Sequence, residues 1–299
     1  MTMAKANGTF SNLDKIYWPD EGITKGELIN YYEAIAPFIL PYLKNRPLSL
    51  KRNPNGIKDE GFYHKDAGDI APAWMKTADI QAASTGKTVH YLVCNNVKSL
   101  LFIANLGCIE MNPWNSVTGK LANPDYLVLD IDPSEKNTFD QVIEVALTIK
   151  DVLDRTGITG YCKTSGASGL HVYVPCNKKY EYDTVRDFAK ILATMVHEQL
   201  PSSTTLERSL SKRKKNQIYV DYLQNSRGQT LASAYSARPK PGATVSAPLD
   251  WKEVKQGLHP SLFTIKNMVK RTEKKGDLFK AVLEKGINIP AALKKIEKL

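Results

Sequence analysis

The run Tyr126–Asp132, YLVLDID, places two acids at the end of an apolar segment, and Pro133 follows it. This pattern predicts a buried strand with a sharp exit. Because side chains alternate along a strand, Asp130 and Asp132 project from one face, about 7 Å apart. Two such carboxylates repel each other unless a cation lies between them, and oxygen ligands suit Mg²⁺ or Mn²⁺. The alternative is that both acids are solvated loop residues.

The balance of charges favours a polyanionic partner. The chain has 299 residues, with 41 Lys and Arg against 31 Asp and Glu, a formal net charge of +10. Nucleic acid is the first candidate, although a generically soluble basic protein has the same balance. The 4 cysteines form no C-x-x-C pair and no zinc pattern, which predicts reduced, mostly buried thiols. We recognise no signal peptide and no long apolar span, so we expect a cytoplasmic location and no membrane partner.

Two lysines lie close to a predicted helix N-terminus. Thr24 and Glu27 fit a capping box, and the apolar period behind them predicts a helix up to a break near Pro41. Lys15 lies in the turn before this helix, and Lys25 lies beside its first turn, where free N–H groups favour anions. Two lysines in this position would hold a phosphate, but lysines near helix ends are more often simply solvated.

Aromatic and basic residues alternate in the next segment. The run 46–52 predicts a strand that carries Lys51 and Arg52, and Phe62 and Tyr63 follow a turn. Aromatic side chains among cations suit stacking on bases beside backbone phosphates. The alternative, that Phe62 and Tyr63 belong partly to the core, is equally compatible with the sequence.

The run 161–175, YCKTSGASGLHVYVP, predicts a strand, a Gly/Ser turn and a second strand. Small residues let backbone N–H groups approach an anion, and Ser165 would add a hydroxyl donor. His171 opens the second strand. A lone histidine is more often a packed residue, but the preceding turn makes His171 a candidate ligand of the same anion.

A third acid, Asp221, interrupts the apolar run 218–223, IYVDYL. A carboxylate in such a strand is costly to bury unless it is paired or bound to a metal. With Asp130 and Asp132 it completes a set of three carboxylates. The set predicts metal-dependent phosphoryl transfer, in which two cations stabilise the attacking and leaving oxygens of an in-line displacement.

The remaining patterns predict further elements. Strands are expected over 87–93 and 108–111, and helices over 97–106, 139–153 and 183–200. A second capping box, Asp250 with Glu253, predicts a short helix, and the Lys/Glu-rich end after residue 266 predicts a closing helix and a surface tail.

Four motifs, in this order, resemble the polymerase domain of bacterial ATP-dependent DNA ligase D, a member of the archaeo-eukaryotic primase superfamily. They are D-I-D at 130–132, S-G-x-x-G-L-H-V-Y at 165–173, D-Y-x-Q-N-S-R-G-x-T at 221–230 and Y-S-x-R-x-x-P-G-A-x-V-S-x-P-L at 235–249. The resemblance covers residues 14–271. It implies an α/β (α+β) primase-polymerase fold, with a mostly antiparallel central sheet flanked by helices and a smaller N-terminal lobe that forms a cleft.

The resemblance also implies a division of the chain and a role for individual residues. The implied division is a flexible lead-in (1–12), an N-terminal lobe (13–110), a catalytic core (111–271) and a C-terminal helix or tail (272–299). The matched positions are Asp130, Asp132 and Asp221 as catalytic metal ligands; Ser165, His171, Arg238 and Lys214, with Lys51 and Arg52, for the nucleotide; Lys15 and Lys25 for a DNA 5′-phosphate; and Phe62 and Tyr63 for stacking on the template.

The activity implied by this resemblance is template-directed nucleotidyl transfer to 3′ ends at DNA gaps and double-strand breaks in non-homologous end joining. It implies two divalent ions, Mn²⁺ or Mg²⁺, an NTP or dNTP substrate with ribonucleotides preferred, and DNA with 5′-phosphorylated ends. Further implied partners are Ku and fused ligase and phosphoesterase modules. Two alternatives stay open: a stand-alone primase-polymerase and a non-catalytic DNA-end-binding scaffold.

Four positions depart from the family pattern. Asn112 stands where many members have His in a motif like E-L-H-P-W, and Ser168 and Gln229 replace positions often held by Lys. Ala234 replaces a common Pro. The three acids are intact, so we predict an active enzyme.

Overall fold

The computed structural model describes residues 10–82 and 85–298, apart from the side chain of Asp69. Most of the predicted lead-in, residues 1–9, lies outside the described residues. Helices and mostly antiparallel strands alternate along the described chain, as the resemblance implies. None of the helices in this part of the chain combines the length and apolarity needed to cross a lipid bilayer.

The described residues form six α-helices and thirteen β-strands. The helices are α1 (Lys25–Leu43), α2 (Val97–Asn105), α3 (Phe139–Thr156), α4 (Tyr182–Gln199), α5 (Met268–Lys275) and α6 (Ile289–Ile296). The strands are β1 (Ile16–Trp18), β2 (Ile23–Thr24), β3 (Leu48–Arg52), β4 (Phe62–His64), β5 (Thr77–Gln81), β6 (Thr88–Leu92), β7 (Cys108–Pro113), β8 (Tyr126–Asp132), β9 (Tyr161–Thr164), β10 (Leu170–Pro175), β11 (Thr204–Thr205), β12 (Ile218–Asp221) and β13 (Pro248–Leu249).

The chain divides into two compact units, each built from several segments. Unit 1 comprises the described residues up to 114 together with 231–245 and 263–276, and unit 2 comprises 115–230, 246–262 and the described residues from 277. The predicted lobes were continuous segments, whereas backbone hydrogen bonds tie late segments to early ones in unit 1. The N–H of Ser233 donates to the carbonyl of Met111 at 2.9 Å, which joins a late segment to an early one. The N–H of Val245 donates to the carbonyl of Phe263 at 2.8 Å, which joins the two late segments to each other.

Unit 2 is organised around a six-stranded sheet in the order β11-β12-β8-β10-β9-β13. Every neighbouring pair is antiparallel except β11 with β12. The central strand β8 is buried from Tyr126 to Ile131, as its apolar run predicted. Helices α3 and α4 pack against each other and against β8, and their apolar stripes supply much of the core.

The described residues of unit 1 form three smaller sheets and three helices, and α1 packs against both α2 and α5. Strands β4, β3 and β7 form an antiparallel sheet, while β1 pairs with β2 and β5 pairs with β6. Helix α1 begins at the predicted capping box: the Thr24 hydroxyl accepts from the N–H of Glu27, and the Glu27 carboxylate accepts from the N–H of Thr24. This cap fixes where α1 starts and so fixes the position of Lys25 in its first turn.

Several element boundaries differ from the prediction. Helix α1 continues two residues past Pro41 and ends at Leu43, close to the predicted break. It accommodates Pro37 and Pro41 because its apolar face is buried along its whole length. The capping box at Asp250 is present, but it opens only a single 3₁₀ turn, Trp251–Glu253. After residue 266 the described chain forms two short helices, α5 and α6, where one closing helix and a surface tail were predicted, and Phe279 and Val282 between these helices are buried within unit 2.

All four cysteines are buried free thiols, as their spacing predicted. Burial raises the pKa of Cys94, Cys162 and Cys176 to about 12. The thiols are therefore protonated and inert at neutral pH, and they act as small apolar side chains.

Candidate functional site

The three predicted acids converge in unit 2. Asp130 on β8 lies directly opposite Asp221 on β12, and Asp132 lies two residues further along β8. Each residue offers a carboxylate oxygen, and these oxygens all lie within 4.8 Å of one another. Asp130 and Asp221 are buried, while Asp132 is exposed. The pairing of β12 with β8 is what brings Asp221 beside two acids that are about 90 residues away in sequence.

The chemistry of this donor set fits a hard divalent cation. Three carboxylates at this separation repel one another, and the burial of two of them strengthens the repulsion. A divalent ion removes the repulsion and uses the oxygen ligands that Mg²⁺ and Mn²⁺ prefer. The exposed side of Asp132 leaves the cluster open to solvent, so a substrate oxygen would have access to a bound ion.

Asp221 is oriented by hydrogen bonds from its own segment. The Tyr219 hydroxyl and the N–H of Leu223 donate to its Oδ1 at 3.0 and 2.7 Å, and the Gln224 amide donates to its Oδ2 at 3.1 Å. Burial and the neighbouring Asp221 carboxylate raise the pKa of Tyr219, which keeps its hydroxyl protonated as a donor. These donors fix the direction of the carboxylate before any ion binds.

His171 joins the acidic cluster from the next strand. It lies opposite Asp130 in the pairing of β10 with β8, and its Nε2 is 3.2 Å from Asp130 Oδ1. Its side chain is buried, and its contact with the Asp130 carboxylate shows that it is not a purely apolar packing residue. The structure thus places His171 beside the predicted metal ligands.

The Gly/Ser turn before His171 is built differently from the predicted anion cradle. The Ser165 hydroxyl oxygen accepts hydrogen bonds from the N–H groups of Ala167 and Gly169, both at 3.0 Å. These two N–H groups are therefore engaged within the turn. A Cβ at Gly169 would lie 2.0 Å from the carbonyl oxygen of Ile131, so only glycine permits this approach to the end of β8.

Lys214 lies exposed in the loop before β12. The side chain of its neighbour Arg213 is held in place, because the Arg213 guanidinium lies 3.7 Å from the centre of the Tyr219 ring. Arg213 also donates to the carbonyls of Glu207 and Arg208 at 2.6 and 2.8 Å. Sequence reasoning singled out neither Arg213 nor Tyr219, since only the fold shows that the ring links the basic loop to Asp221.

The basic and aromatic residues of unit 1 pair across two strands. Lys51 on β3 lies opposite Tyr63 on β4, and Arg52 lies opposite Phe62. Phe62 and Tyr63 are 48% and 60% exposed, which decides between the two alternatives: neither ring belongs to the core. Lys51 lies 5.0 Å from the Tyr63 ring centre, and the Arg52 guanidinium lies 5.3 Å from the Phe62 ring centre. The four side chains form a basic surface with exposed aromatic faces.

Arg238 and Asn112 are both engaged inside unit 1. The Arg238 Nε lies 2.7 Å from Glu110 Oε2, a largely buried ion pair that the sequence did not predict. Asn112 is buried on β7, and its amide donates to the Glu110 carbonyl at 3.5 Å. If Arg238 contacts a phosphate, as the resemblance implies, it does so while it is also paired with the Glu110 carboxylate.

The backbones of Lys15 and Lys25, the two lysines predicted to bind a DNA 5′-phosphate, are hydrogen-bonded to each other. The N–H of Lys25 donates to the carbonyl of Lys15 at 2.8 Å. Lys25 is buried, and its Nζ donates to the Ser11 carbonyl at 2.8 Å, whereas the Lys15 ammonium donates to the Asn55 side chain. Burial, and next the charge of Lys15, lower the pKa of Lys25.

Comparison with known proteins shows which family has this fold and this acidic cluster. A family model described as "LigD, primase-polymerase domain" matches residues 24–279. The chain belongs to this family. The match includes all three acids, the Gly/Ser turn, His171 and Arg238, so the residues that build the site lie within the part shared with the family.

Two curated relatives illustrate the similarity. The chain is 34% identical over 269 residues to the "Bifunctional non-homologous end joining protein LigD" of Bacillus subtilis (strain 168), an alignment that covers 89% of this chain and 43% of the relative. It is 30% identical over 246 residues to the "Multifunctional non-homologous end joining protein LigD" of Mycolicibacterium smegmatis, covering 82% of this chain and 32% of the relative. The chain thus spans less than half the length of these LigD relatives.

A solved structure gives the same fold. The polymerase domain from Mycobacterium tuberculosis ligase D, determined in complex with DNA, superposes with a TM-score of 0.85 and 28% sequence identity. The match covers 95% of this chain and 100% of that one. The primase-polymerase fold expected from the sequence motifs is confirmed.

Proposed function

We propose that this LigD-type primase-polymerase domain is a template-directed nucleotidyltransferase that adds nucleotides, preferably ribonucleotides, to 3′ ends at DNA gaps and double-strand breaks. The observation that carries the proposal is the convergence of Asp130, Asp132 and Asp221 from two paired strands onto oxygens within 4.8 Å. Transfer of a nucleotidyl group requires neutralisation of charge on the attacking and leaving oxygens, and a carboxylate-bound pair of divalent ions supplies that neutralisation.

The chain's own residues would bind and orient the reactants. Asp130, Asp132 and Asp221 would hold Mn²⁺ or Mg²⁺, with Asp221 fixed in direction by Tyr219. His171 would face the triphosphate of the incoming NTP or dNTP from its place beside Asp130. Positioning and charge account for most of the rate enhancement in such reactions, so no separate general base is assigned.

The remaining nucleotide contacts are proposals from the family pattern. Ser165, Lys214, Lys51, Arg52 and Arg238 would supply hydroxyl and cationic groups to phosphates. For Arg238 the proposal has a structural condition: a phosphate has to be bound while the Glu110 carboxylate lies 2.7 Å from the Arg238 Nε.

Lys15 and Lys25 would bind the 5′-phosphate at a DNA end. A cation that is buried beside a second cation is unfavourable by itself, as the lowered pKa of Lys25 indicates. An anion at this place relieves the repulsion between the two ammonium groups. The N–H groups at the start of α1 are already engaged, since Lys25 donates to the Lys15 carbonyl, Gly26 to the Leu13 carbonyl and Glu27 to the Thr24 hydroxyl. The proposed phosphate contact therefore rests on the two ammonium groups, and not on the free N–H groups that the sequence had predicted at the helix terminus.

Phe62 and Tyr63 would stack on template bases. Their rings are exposed although each is large and apolar, and Arg52 and Lys51 accompany them on the neighbouring strand. Exposed aromatic faces among cations bind single-stranded nucleic acid through base stacking and phosphate contacts.

The wider setting is proposed from the relatives. The LigD proteins similar to this chain are named for non-homologous end joining, and the solved polymerase domain is in complex with DNA. We infer the same process for this chain, with Ku and with ligase and phosphoesterase modules as partners, in the cytoplasm at the nucleoid.

Primer extension tests the proposed activity. A labelled primer on gapped DNA is incubated with NTP and Mn²⁺, and wild type is compared with the Asp130→Ala/Asp132→Ala variant. We expect extension by wild type and a loss of at least 1000-fold in the variant, on the order expected for removal of a catalytic charge centre. A wild type that extends the primer no more than a variant expected to be inactive, with no product from either protein, would leave only the scaffold alternative. Equal extension by two active proteins would show that Asp130 and Asp132 are not the catalytic acids. De novo synthesis on single-stranded DNA would instead indicate a stand-alone primase.

A further inference from the structure

Four adjacent strands of the six-stranded sheet place one polar side chain each in a single row. Lys163 on β9 lies opposite His171 on β10, His171 lies opposite Asp130 on β8, and Asp130 lies opposite Asp221 on β12. Directly opposite residues of antiparallel strands project from the same face. The row therefore runs from a cation through an imidazole to two of the three acids.

Lys163 is the member of this row that sequence reasoning did not single out. Its side chain is 0% exposed, which is rare for a lysine. Its Nζ lies 2.8 Å from His171 Nδ1 and 2.6 Å from Ser246 Oγ, and it also lies 5.5 Å from the centre of the Tyr173 ring. The buried ammonium is thus surrounded by groups that suit a cation.

The direction of these hydrogen bonds follows from the donor inventory. The Ser246 hydroxyl donates its one proton to the carbonyl of Thr164 at 2.8 Å, so its oxygen accepts from Lys163. An ammonium has three donors and no acceptor. The Lys163 ammonium therefore donates to His171 Nδ1, and that nitrogen has to present its lone pair.

This bond decides which ring nitrogen of His171 carries a proton. When Nδ1 accepts from Lys163, the proton of the neutral ring lies on Nε2, the atom that is 3.2 Å from Asp130 Oδ1. His171 then presents an N–H donor to the acidic cluster and to any anion that binds beside it. An imidazole without this partner would exchange between its two tautomers and between ring orientations.

We propose that Lys163 is a positioning residue that fixes His171 as an Nε2–H donor at the nucleotide site. Its effect on nucleotide binding rests on the function proposed above, whereas its effect on the histidine ring does not. A merely space-filling role predicts something different, because a methionine of similar volume would then serve equally well.

Nitrogen-15 NMR of the histidine rings reads the ring state without any activity. We expect His171, assigned by comparison with His171→Asn, to show a protonated Nε2 and an accepting Nδ1 in the wild-type protein with Mg²⁺. In Lys163→Met both nitrogens shift towards the averaged values of exchanging tautomers, and in Lys163→Gln, whose amide still donates, they shift less. A proton on Nδ1 in wild type, or an unchanged His171 spectrum in Lys163→Met, would overturn the proposal.

Nucleotide binding gives the second measurement. We expect Lys163→Met to raise the KM for NTP about tenfold, and to add nothing in a His171→Ala background, because coupled residues are non-additive. Cys162→Ala, on the same buried strand and outside the row, controls for packing and should leave the KM unchanged. Fully additive effects of the two substitutions would refute the coupling. A wild type without polymerase activity would contradict the proposed function. The NMR measurement would still decide whether Lys163 fixes the tautomer of His171, because it does not depend on activity.

Discussion

At the scale of single residues, the Asp221 carboxylate is held on both of its oxygens. Oδ1 accepts from the Tyr219 hydroxyl and from the N–H of Leu223, and Oδ2 accepts from the Gln224 amide. A carboxylate has about four lone-pair positions, so these donors leave capacity for an ion while they limit rotation of the group. Orientation of this kind typically determines much of the affinity of a metal site.

Removal of the Tyr219 hydroxyl tests this orientation. We expect Tyr219→Phe to raise the Mn²⁺ concentration for half-maximal primer extension about tenfold, because a hydrogen bond to a charged group contributes roughly 1.5–3 kcal/mol. Tyr161→Phe, a tyrosine of the same sheet that lies outside the acidic cluster, is the control and should behave as wild type. An unchanged Mn²⁺ requirement in Tyr219→Phe would show that the hydroxyl does not orient the carboxylate.

At the scale of elements, the start of helix α1 places two cations side by side. The capping box at Thr24 and Glu27 fixes the first turn, and the hydrogen bond from Lys25 N–H to the Lys15 carbonyl joins the preceding turn to it. The backbones of the two lysines are therefore fixed to each other, while the Lys25 ammonium donates to the Ser11 carbonyl and the Lys15 ammonium to the Asn55 side chain. This arrangement predicts a dependence on one chemical group of the DNA, the terminal phosphate.

The Lys15→Ala/Lys25→Ala variant should lose affinity for 5′-phosphorylated gapped DNA by at least tenfold, and should bind the unphosphorylated gap as wild type does. The reason is that two charge-assisted contacts to one phosphate are removed. Fluorescence anisotropy on the two DNAs measures the difference. Lys44→Ala, an exposed lysine at the other end of α1, is the control, and a thermal melt checks that burial loss at Lys25 has not unfolded the protein. Equal losses on both DNAs would contradict the assignment.

Local signals in the sequence predicted individual elements well. The capping box that starts α1 is present as predicted, and the side-chain caps of α2 and α3 start these helices at the predicted residues, Val97 and Phe139. Each is a short-range device that involves neighbours in sequence. The predicted break near Pro41 lies two residues before the observed end of α1 at Leu43, because tertiary burial, which local sequence signals do not reveal, extends the helix.

The sequence predicted the three acids but not the groups that hold them. The strand pattern reveals which face a residue uses, but it does not reveal which strand pairs with which, or in what register. Lys163, Tyr219 and the Arg238–Glu110 ion pair all depend on such non-local pairing. For the same reason the two units could not be predicted as interleaved segments.

At the scale of the whole molecule, the excess of basic residues predicts binding to the nucleic acid backbone. The formal net charge is +10, and exposed cations include Lys214 and Lys215 in the loop before β12. Binding that neutralises phosphates releases counterions, so affinity falls with salt in proportion to the number of contacts.

We therefore expect the log of the association constant for duplex DNA to fall linearly with the log of salt concentration, with a slope of about 0.9 per phosphate contact. The Lys214→Ala/Lys215→Ala variant should show a shallower slope if both lysines contact phosphates. A titration at several salt concentrations measures it. An association that does not respond to salt would argue against a surface that follows the backbone.

The central claim is that three aspartates from two paired strands form one site for a divalent cation. Electron paramagnetic resonance of free Mn²⁺ during a titration measures that site without DNA, nucleotide or turnover. We predict that Asp221→Asn lowers Mn²⁺ affinity at least tenfold, because it removes one of three converging charges, while Asp140→Asn, an exposed acid on α3, leaves the affinity unchanged. Equal Mn²⁺ affinity in wild type and Asp221→Asn would contradict the account.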